Sequence, residues 1–478
     1  MMYLTKAKAQ KVHDAAIALL ERTGLQVEHD EAEELLLSAG ATKSDGRVLL
    51  TREMIDEALA KANPKVQMYD REGRRSIDLK IGNTYFGPGS DALFNVDQYA
   101  AYIRPSTLSD VRTNVRIVDS LPEFQFVMST ALPGEIEPHK LYPSVFVEMV
   151  QNTTKPIVTT AVSLEDIQHI HRIAAVIAGG EAALRQKPFF IAYLEPNFPL
   201  VMDRSSIDRL LYCAEHEIPF AYAAGANCAV AAPATLAGAV AQGTAESLAG
   251  LVLALCKNEN VRFIYGANSS SGDMISGKVL YGAPEWSKTV AMYADMGDYY
   301  NLPTWGTGGA SDALGTNVQS GMEMYEGIVM AIQSGATLVH DVGFMAYGTL
   351  YDARMLKFMN DMIVRARHLV EEVDVDADTL GLEAIDDVAR RRDGYKTFFE
   401  HPHTVQHFRK SLWIPPSYIG RSLIDASQIR TDPSDGLSVE IANIIENHKP
   451  MELHEDIARE INDIKNNIEP ADYMEGAA

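Results

Sequence analysis

The chain has 478 residues, 46% of them apolar, enough to bury a large core in one barrel-sized domain with appendages or in two to three smaller domains. Its 42 Lys and Arg face 65 Asp and Glu, a net charge of −23. With no basic stripe of interleaved aromatics, that balance excludes electrostatic capture of nucleic acid.

Residues 1–6 run straight into an amphipathic helix pattern without the apolar run of a signal peptide. Residues 7–22 have helical periodicity and stop at Thr23-Gly24; 30–38 predicts a second helix ending at Gly40, and 51–61 a third. Residues 65–78 read as strand–turn–strand around Arg71-Glu72-Gly73. Residues 1–80 are therefore expected to form an N-terminal appendage of helices and a hairpin.

From residue 81 the pattern alternates. Apolar runs at 84–86, 124–129, 157–161, 189–194, 220–224, 262–265, 304–306 and 337–340 read as strands. Helical segments at 108–118, 145–151, 164–177, 206–216, 236–256, 286–293 and 322–332 separate them. Eight strands and their helices over about 260 residues match a (β/α)8 TIM barrel, expected over 81–355, with a doubly wound open sheet as the rival arrangement. Residues 356–478 turn charged and helical, interrupted by Trp413-Ile414-Pro415-Pro416, and predict a C-terminal helical region. The most apolar stretch, 228–241, is broken by Pro233, Thr235 and Gly238 and is too short for a bilayer span. Cys213, Cys228 and Cys256 lack the paired spacing of a disulfide frame or zinc site. A soluble, cytoplasmic protein is expected.

In barrel enzymes the working residues sit just past the C-terminal ends of the strands. Here those positions carry Gly-Pro-Gly-Ser-Asp91, Tyr193-Leu-Glu195, Tyr222-Ala-Ala-Gly-Ala-Asn227 and Tyr265-Gly-Ala-Asn268. The last two strand ends carry Trp305-Gly-Thr-Gly-Gly-Ala-Ser-Asp312 and His340-Asp-Val-Gly-Phe344, the latter running on to Tyr347. The result is a mouth lined with aromatic rings, studded with Asp91, Glu195, Asp312 and Asp341 and holding one histidine. Ring faces beside carboxylates are the surroundings that attract a quaternary ammonium. The bland alternatives are barrel packing for each ring, a half-buried hydrogen-bonded His340, and a helix N-cap for Asp312.

Other motifs fail. Gly306-Thr-Gly-Gly-Ala-Ser lacks the last glycine of a dinucleotide fingerprint, and there is no P-loop or nucleophile elbow. Asp374-Val-Asp-Ala-Asp imitates a calcium loop but has Thr379 where glycine is required. His401-Pro-His403 has no partners at metal-ligand spacing, so no metal site is expected.

The strand-end motifs Gly87-Pro-Gly-Ser-Asp91, Gly306-Thr-Gly-Gly-Ala-Ser-Asp-Ala313 and Leu338-Val-His-Asp-Val-Gly343, with Leu20-Glu-Arg-Thr-Gly24 near the start, resemble the trimethylamine methyltransferase superfamily. The resemblance covers nearly the full length. It implies a TIM barrel that moves a methyl group from an amine to Co(I) of a separate corrinoid protein, with no tightly bound cofactor of its own. The trimethylamine enzymes carry pyrrolysine, and this chain has none, so it resembles the branch acting on quaternary amines such as glycine betaine, proline betaine or carnitine. A quaternary nitrogen is already positive and leaves as a neutral amine without further activation.

On strand-end position, Phe94, Tyr222, Phe344 and Tyr347 are candidates for the cage, with Glu195 beside them. His340, Asn227 and Asn268 are candidates for a substrate carboxylate, and His340, Asp312 and Asp91 for catalytic roles. A metal-dependent lyase or hydrolase built on Asp91, Glu195, Asp312 and His340, and a non-catalytic quaternary-ammonium binder, are the readings from other classes. The corrinoid protein is the expected partner, and the C-terminal helices offer a surface for a homo-oligomer.

Overall fold

A computed structural model describes residues 3–97, 102–197, 199–419 and 433–470. Its central strands are, in chain order, Tyr85–Phe86, the bridged stretch 124–127, Ile157–Thr160, Phe190–Leu194, Phe220–Tyr222, Phe263–Ile264, Trp305–Thr307 and Leu338–His340. Phe86 bridges Phe124 and Val127 bridges Ile157, both in parallel. The third to sixth strands pair in succession, and Tyr265 bridges Thr304 ahead of the seventh. The seventh pairs with the eighth, whose Leu338 lies beside Tyr85 of the first. The parallel pairings thus return to their starting strand, forming a (β/α)8 barrel rather than an open sheet.

Helices alternate with the strands: Leu108–Ser120, Leu141–Asn152, Leu164–Ala178, Arg204–Glu215, Leu236–Lys257, Pro284–Tyr300 and Val318–Ser334. Local chemistry sets their ends. Ser163 and Asp166 form a capping box for Leu164–Ala178, which stops on Gly179 at φ 83°, a conformation that costs glycine little. The eighth helix is Ala353–Val370, packed against Val318–Ser334 and Leu108–Ser120. It completes the outer layer beyond residue 355, where the sequence pattern had suggested a separate region. Its buried face of Met355, Leu356, Met359, Ile363 and Ala366 is backed by charged residues, as an outer-layer helix requires.

Side chains alternate across each strand and divide the core in two. Phe190, Ala192 and Leu194 point outward into the layer under the helices. Ile191, Ala221, Ile264, Trp305 and Leu338 point inward. The hairpin Val66–Tyr69 and Arg75–Leu79, which the sequence placed with the N-terminal appendage, contributes Val66, Met68, Ile77 and Leu79 to this inner cluster. It plugs the barrel interior.

Leu236–Lys257 is long and apolar enough to cross a bilayer, yet 89% of its apolar window is buried. Its faces are covered by the N-terminal helices Lys6–Arg22, Asp30–Ser38 and Arg52–Lys61 on one side and by the barrel on the other. The N-terminal segment also clasps the loop after the fourth strand. Gln26–Val27 pairs with Val201–Met202, and Arg47 Nη2 donates to Leu200 O at 3.0 Å. Pro433–Asn447 packs on the first and eighth barrel helices, and Glu455–Asn466 on the second and third.

Two glycines in barrel helices should respond oppositely to alanine. A Cβ at Gly250 would stand 2.2 Å from Tyr222 Cδ1, so overpacking of about 1–3 kcal/mol outweighs the gain in helix propensity of about 1 kcal/mol. Gly321 has nothing within 4 Å, and its replacement should stabilise by about 0.5–1 kcal/mol. Thermal unfolding should therefore fall for G250A and hold or rise for G321A.

Candidate functional site

The loops past the C-terminal ends of the strands enclose a cavity of about 530 Å³. Tyr193 and His340 reach it from inward positions at the ends of the fourth and eighth strands. Trp305, at the inward position of the seventh, packs beneath them: its ring stacks on Tyr193 at 4.9 Å between centroids and lies 4.1 Å from His340. Tyr281 and Trp286 form a wall, edge to face at 4.4 Å, and Tyr281 meets Phe344 edge-on at 6.3 Å. Asp91, Glu195 and Asp341 bring carboxyl groups to the same space.

Backbone geometry makes this crowding possible. A Cβ at Gly89 would fall 2.1 Å from Phe344 Cε2 and 2.4 Å from Asp341 Oδ1, so only glycine lets the first and eighth strand loops approach. The Tyr351 hydroxyl clamps them, accepting from Gly89 N at 2.6 Å and donating to Val342 O at 3.1 Å. Asp341 itself sits at φ 68°.

His340 and Asp341 form a buried pair. Nδ1 of His340 lies 2.8 Å from the Gly306 carbonyl, which only accepts, so Nδ1 carries the proton. Nε2 is then an acceptor, 3.2 Å from Asp341 Oδ2. Burial pushes His340 down to about 3 and holds the Asp341 carboxyl well above its ordinary range, with Glu195 adding to the rise. Both effects favour a neutral imidazole accepting from a protonated acid. Burial likewise lifts Asp91 to about 6, although Ser129 Oγ donates to it at 3.2 Å. Glu195, open to the cavity and raised by the surrounding protein, accepts from the Tyr193 hydroxyl at 3.1 Å.

The structure brings Asp91, Glu195, Asn227, Asn268, His340 and Phe344 together around the cavity. Asn268 Nδ2 donates to the Tyr193 hydroxyl at 2.7 Å, leaving its buried Oδ1 without a partner. Asn227 Oδ1 accepts from Ser270 N at 3.0 Å, tying the fifth strand loop to the sixth.

Four candidates lie elsewhere. Tyr222 occupies an outward strand position and packs against Gly250, so parity removes it from the mouth. Phe94 belongs to a sheet outside the barrel, pairing with Leu350 and Pro105. The Tyr347 ring already faces a cation of the chain, Lys278 Nζ at 4.5 Å. Asp312 spends both oxygens on backbone amides, Tyr281 N at 2.7 Å and Gly282 N at 3.0 Å, and so positions Tyr281 instead of meeting a ligand. Asp312 also cannot join a metal quartet with Asp91, Glu195 and His340; among the described residues no group of three or more His, Cys, Asp or Glu is placed to hold a metal.

Sequence reasoning passed over Tyr193, Tyr281, Trp286 and Arg209, all of which line the cavity. Tyr193 stands two residues on from inward Ile191, but Phe190 and Ala192 are equally buried, so the run itself does not tell which face is inner. The other three stand on a loop and on two barrel helices, where no local pattern announces a cavity.

The family profile described as trimethylamine methyltransferase (MTTB) matches residues 1–463. The trimethylamine methyltransferase MttB of Desulfitobacterium hafniense is 25% identical over 461 residues, 95% of this chain and 91% of that protein. A glycine betaine methyltransferase of the same species is 25% identical over 414 residues, 86% of this chain and 85% of that protein. Among solved structures, the monomethylamine methyltransferase MtmB of Methanosarcina barkeri aligns over 93% of this chain and 92% of its own, at 11% identity and a TM-score of 0.48.

The site should bind cations more tightly as pH rises. Asp91 is neutral below about 6 and charged above it, so the affinity of the cavity for a cation should climb several-fold between pH 5 and 7, with Glu195, also raised by burial, adding to the climb. His340 stays neutral over that range and adds no opposing limb. Tryptophan-fluorescence titrations check this, with D91N expected to flatten the profile.

Proposed function

The chain belongs to the trimethylamine methyltransferase (MTTB) family, and from that premise we propose that it moves a methyl group from a quaternary amine to Co(I) of a separate corrinoid protein in the cytoplasm. Glycine betaine is the first substrate to test, with proline betaine and carnitine beside it. The observation that carries the reading is the cavity wall itself: Tyr193, Tyr281, Trp286 and Phe344 interleaved with Asp91, Glu195 and Asp341. Ring faces and acidic groups attract a permanent cation that offers no N–H to a hydrogen-bond acceptor.

The corrinoid protein supplies a strongly nucleophilic Co(I) as methyl acceptor. The C–N bond breaks with its electron pair left on nitrogen, so the positive charge vanishes from the amine. A full ion pair would hold that charge more strongly before transfer than during it and would slow the step. The rings, with Asp341 held as a neutral acid, bind the cation with less of that penalty. The chain's share is thus to orient the methyl toward the mouth and to exclude water.

The loops around the mouth expose Leu93, Val230, Met274, Ile275, Leu314 and Val318, an apolar rim suited to docking the protein that carries the corrinoid.

Two experiments test this reading. Purified protein given glycine betaine and reduced cob(I)alamin should produce methylcobalamin absorbance, and trimethylamine should not; no product from any of the three betaines with folded protein overturns the proposal. I275E should slow transfer to the corrinoid protein at least tenfold while leaving transfer to free cob(I)alamin unchanged, since Ile275 is 97% exposed and outside the cavity wall.

A further inference from the structure

Arg209 has no assigned work in the reading above. It stands on the barrel helix Arg204–Glu215, is only 8% exposed, and lines the cavity. It is the sole Lys or Arg among the described residues that do so. Its Nε donates to Ser205 O at 3.0 Å and its Nη1 to Ala161 O, two backbone carbonyls that fix the plane of the guanidinium. Among the described residues no carboxylate pairs with it, and its Nη2 makes no hydrogen bond to the protein. That nitrogen is not sealed in, and the residue that carries it lines the cavity.

Of the acids in its field, Asp203 and Asp166 are already engaged, and Glu195, which Arg209 helps to hold down, accepts from the Tyr193 hydroxyl. Asp203 accepts from Ser206 N and Asn197 N, and Asp166 accepts from Val162 N and Ser163 N. A guanidinium so far from water is costly without a counter-charge, and a planar fork suits a carboxylate. Position adds direction. Ala161 follows the third strand and Arg209 the fourth, whereas Asp341 and Phe344 follow the eighth, across the ring from the fourth. The neutral His340, with Nε2 an acceptor, cannot donate to a carboxylate, so Arg209 is the one cationic donor among the described residues that line the cavity.

We propose that Arg209 anchors the carboxylate of a zwitterionic substrate, so that the enzyme takes quaternary amines that carry an anion and discriminates against simple quaternary cations. The inference rests on the quaternary-amine reading for the cation end only. A methyl group bound against Asp341 and Phe344, across the ring from Arg209, is held in register by the anchored carboxylate.

Binding, followed by tryptophan fluorescence or calorimetry without any corrinoid, tests it. Wild-type protein should bind glycine betaine at least tenfold tighter than choline, which has no anion. In R209Q the affinity for glycine betaine should fall at least tenfold while choline binds as well or better, because a repelling charge has gone; R209K should recover part of the loss. Equal loss for both ligands, or an unchanged affinity for glycine betaine, overturns the proposal. Should R209Q fail to fold, wild-type protein decides: acetate at constant ionic strength should displace glycine betaine and spare choline, and failure to compete overturns it. Absence of methyl transfer alongside an Arg209-dependent betaine preference would sink the proposed reaction and leave this anchor standing. Undiminished transfer from glycine betaine in R209Q, with unchanged KM, would do the reverse.

Discussion

Closure of the eight-stranded parallel ring is the constraint from which the rest follows. Once the eighth strand pairs with the first, alternate residues of every strand are committed to an interior too narrow for anything but packed side chains. The hairpin with Val66 and Leu79 fills one end. At the other end Tyr193 and His340 finish the inward series of their strands above Trp305, and the three packed rings make a rigid base for the cavity. The outward series, including Tyr222, is spent on the helices.

The same closure excludes water from the base and so governs its charge. Three acids and an imidazole share a space in which full ionisation is expensive: burial raises all three acids, holds Asp341 as a neutral acid while Asp91 ionises above about 6, and leaves His340 with no proton beyond that on Nδ1. A site in this state is poised for a permanent cation, which restores to the carboxyl groups the partner that burial denied them. In the proposed transfer it is also suited to losing that cation's charge, because Asp341, held neutral, forms no full ion pair with it. Arg209, held by backbone carbonyls, places the complementary sign across the ring from Asp341 and Phe344.

The segments outside the ring hold the loops that carry this chemistry. Gln26–Val27, Arg47 and Glu246, whose Oε1 accepts from Leu200 N at 2.7 Å, pin the loop bearing Glu195 and Asn197. Asp312 and Glu323 secure the turn that presents Tyr281, since Glu323 Oε2 accepts from Asp312 N at 3.0 Å. The strand-end acids thus divide between ligand-facing and positioning work according to which of them backbone amides can reach.

By itself the sequence determined the elements and their order. Short continuous apolar runs, 3.6-period helices and their caps mark the strand–helix alternation, and the motifs at the strand ends locate the mouth with Asp91, Glu195, His340 and Phe344. What only the tertiary structure decided is which neighbours meet there. Parity turned Tyr222 outward and Tyr193 inward, a one-residue distinction that hydrophobicity does not record because both faces of a barrel strand are buried. Lys278 took the ring of Tyr347, backbone amides took Asp312, and the hairpin moved from appendage to plug. Trp286 and Arg209 arrive from helices whose local pattern speaks only of packing, because a cavity belongs to the closed ring and to no single segment of it.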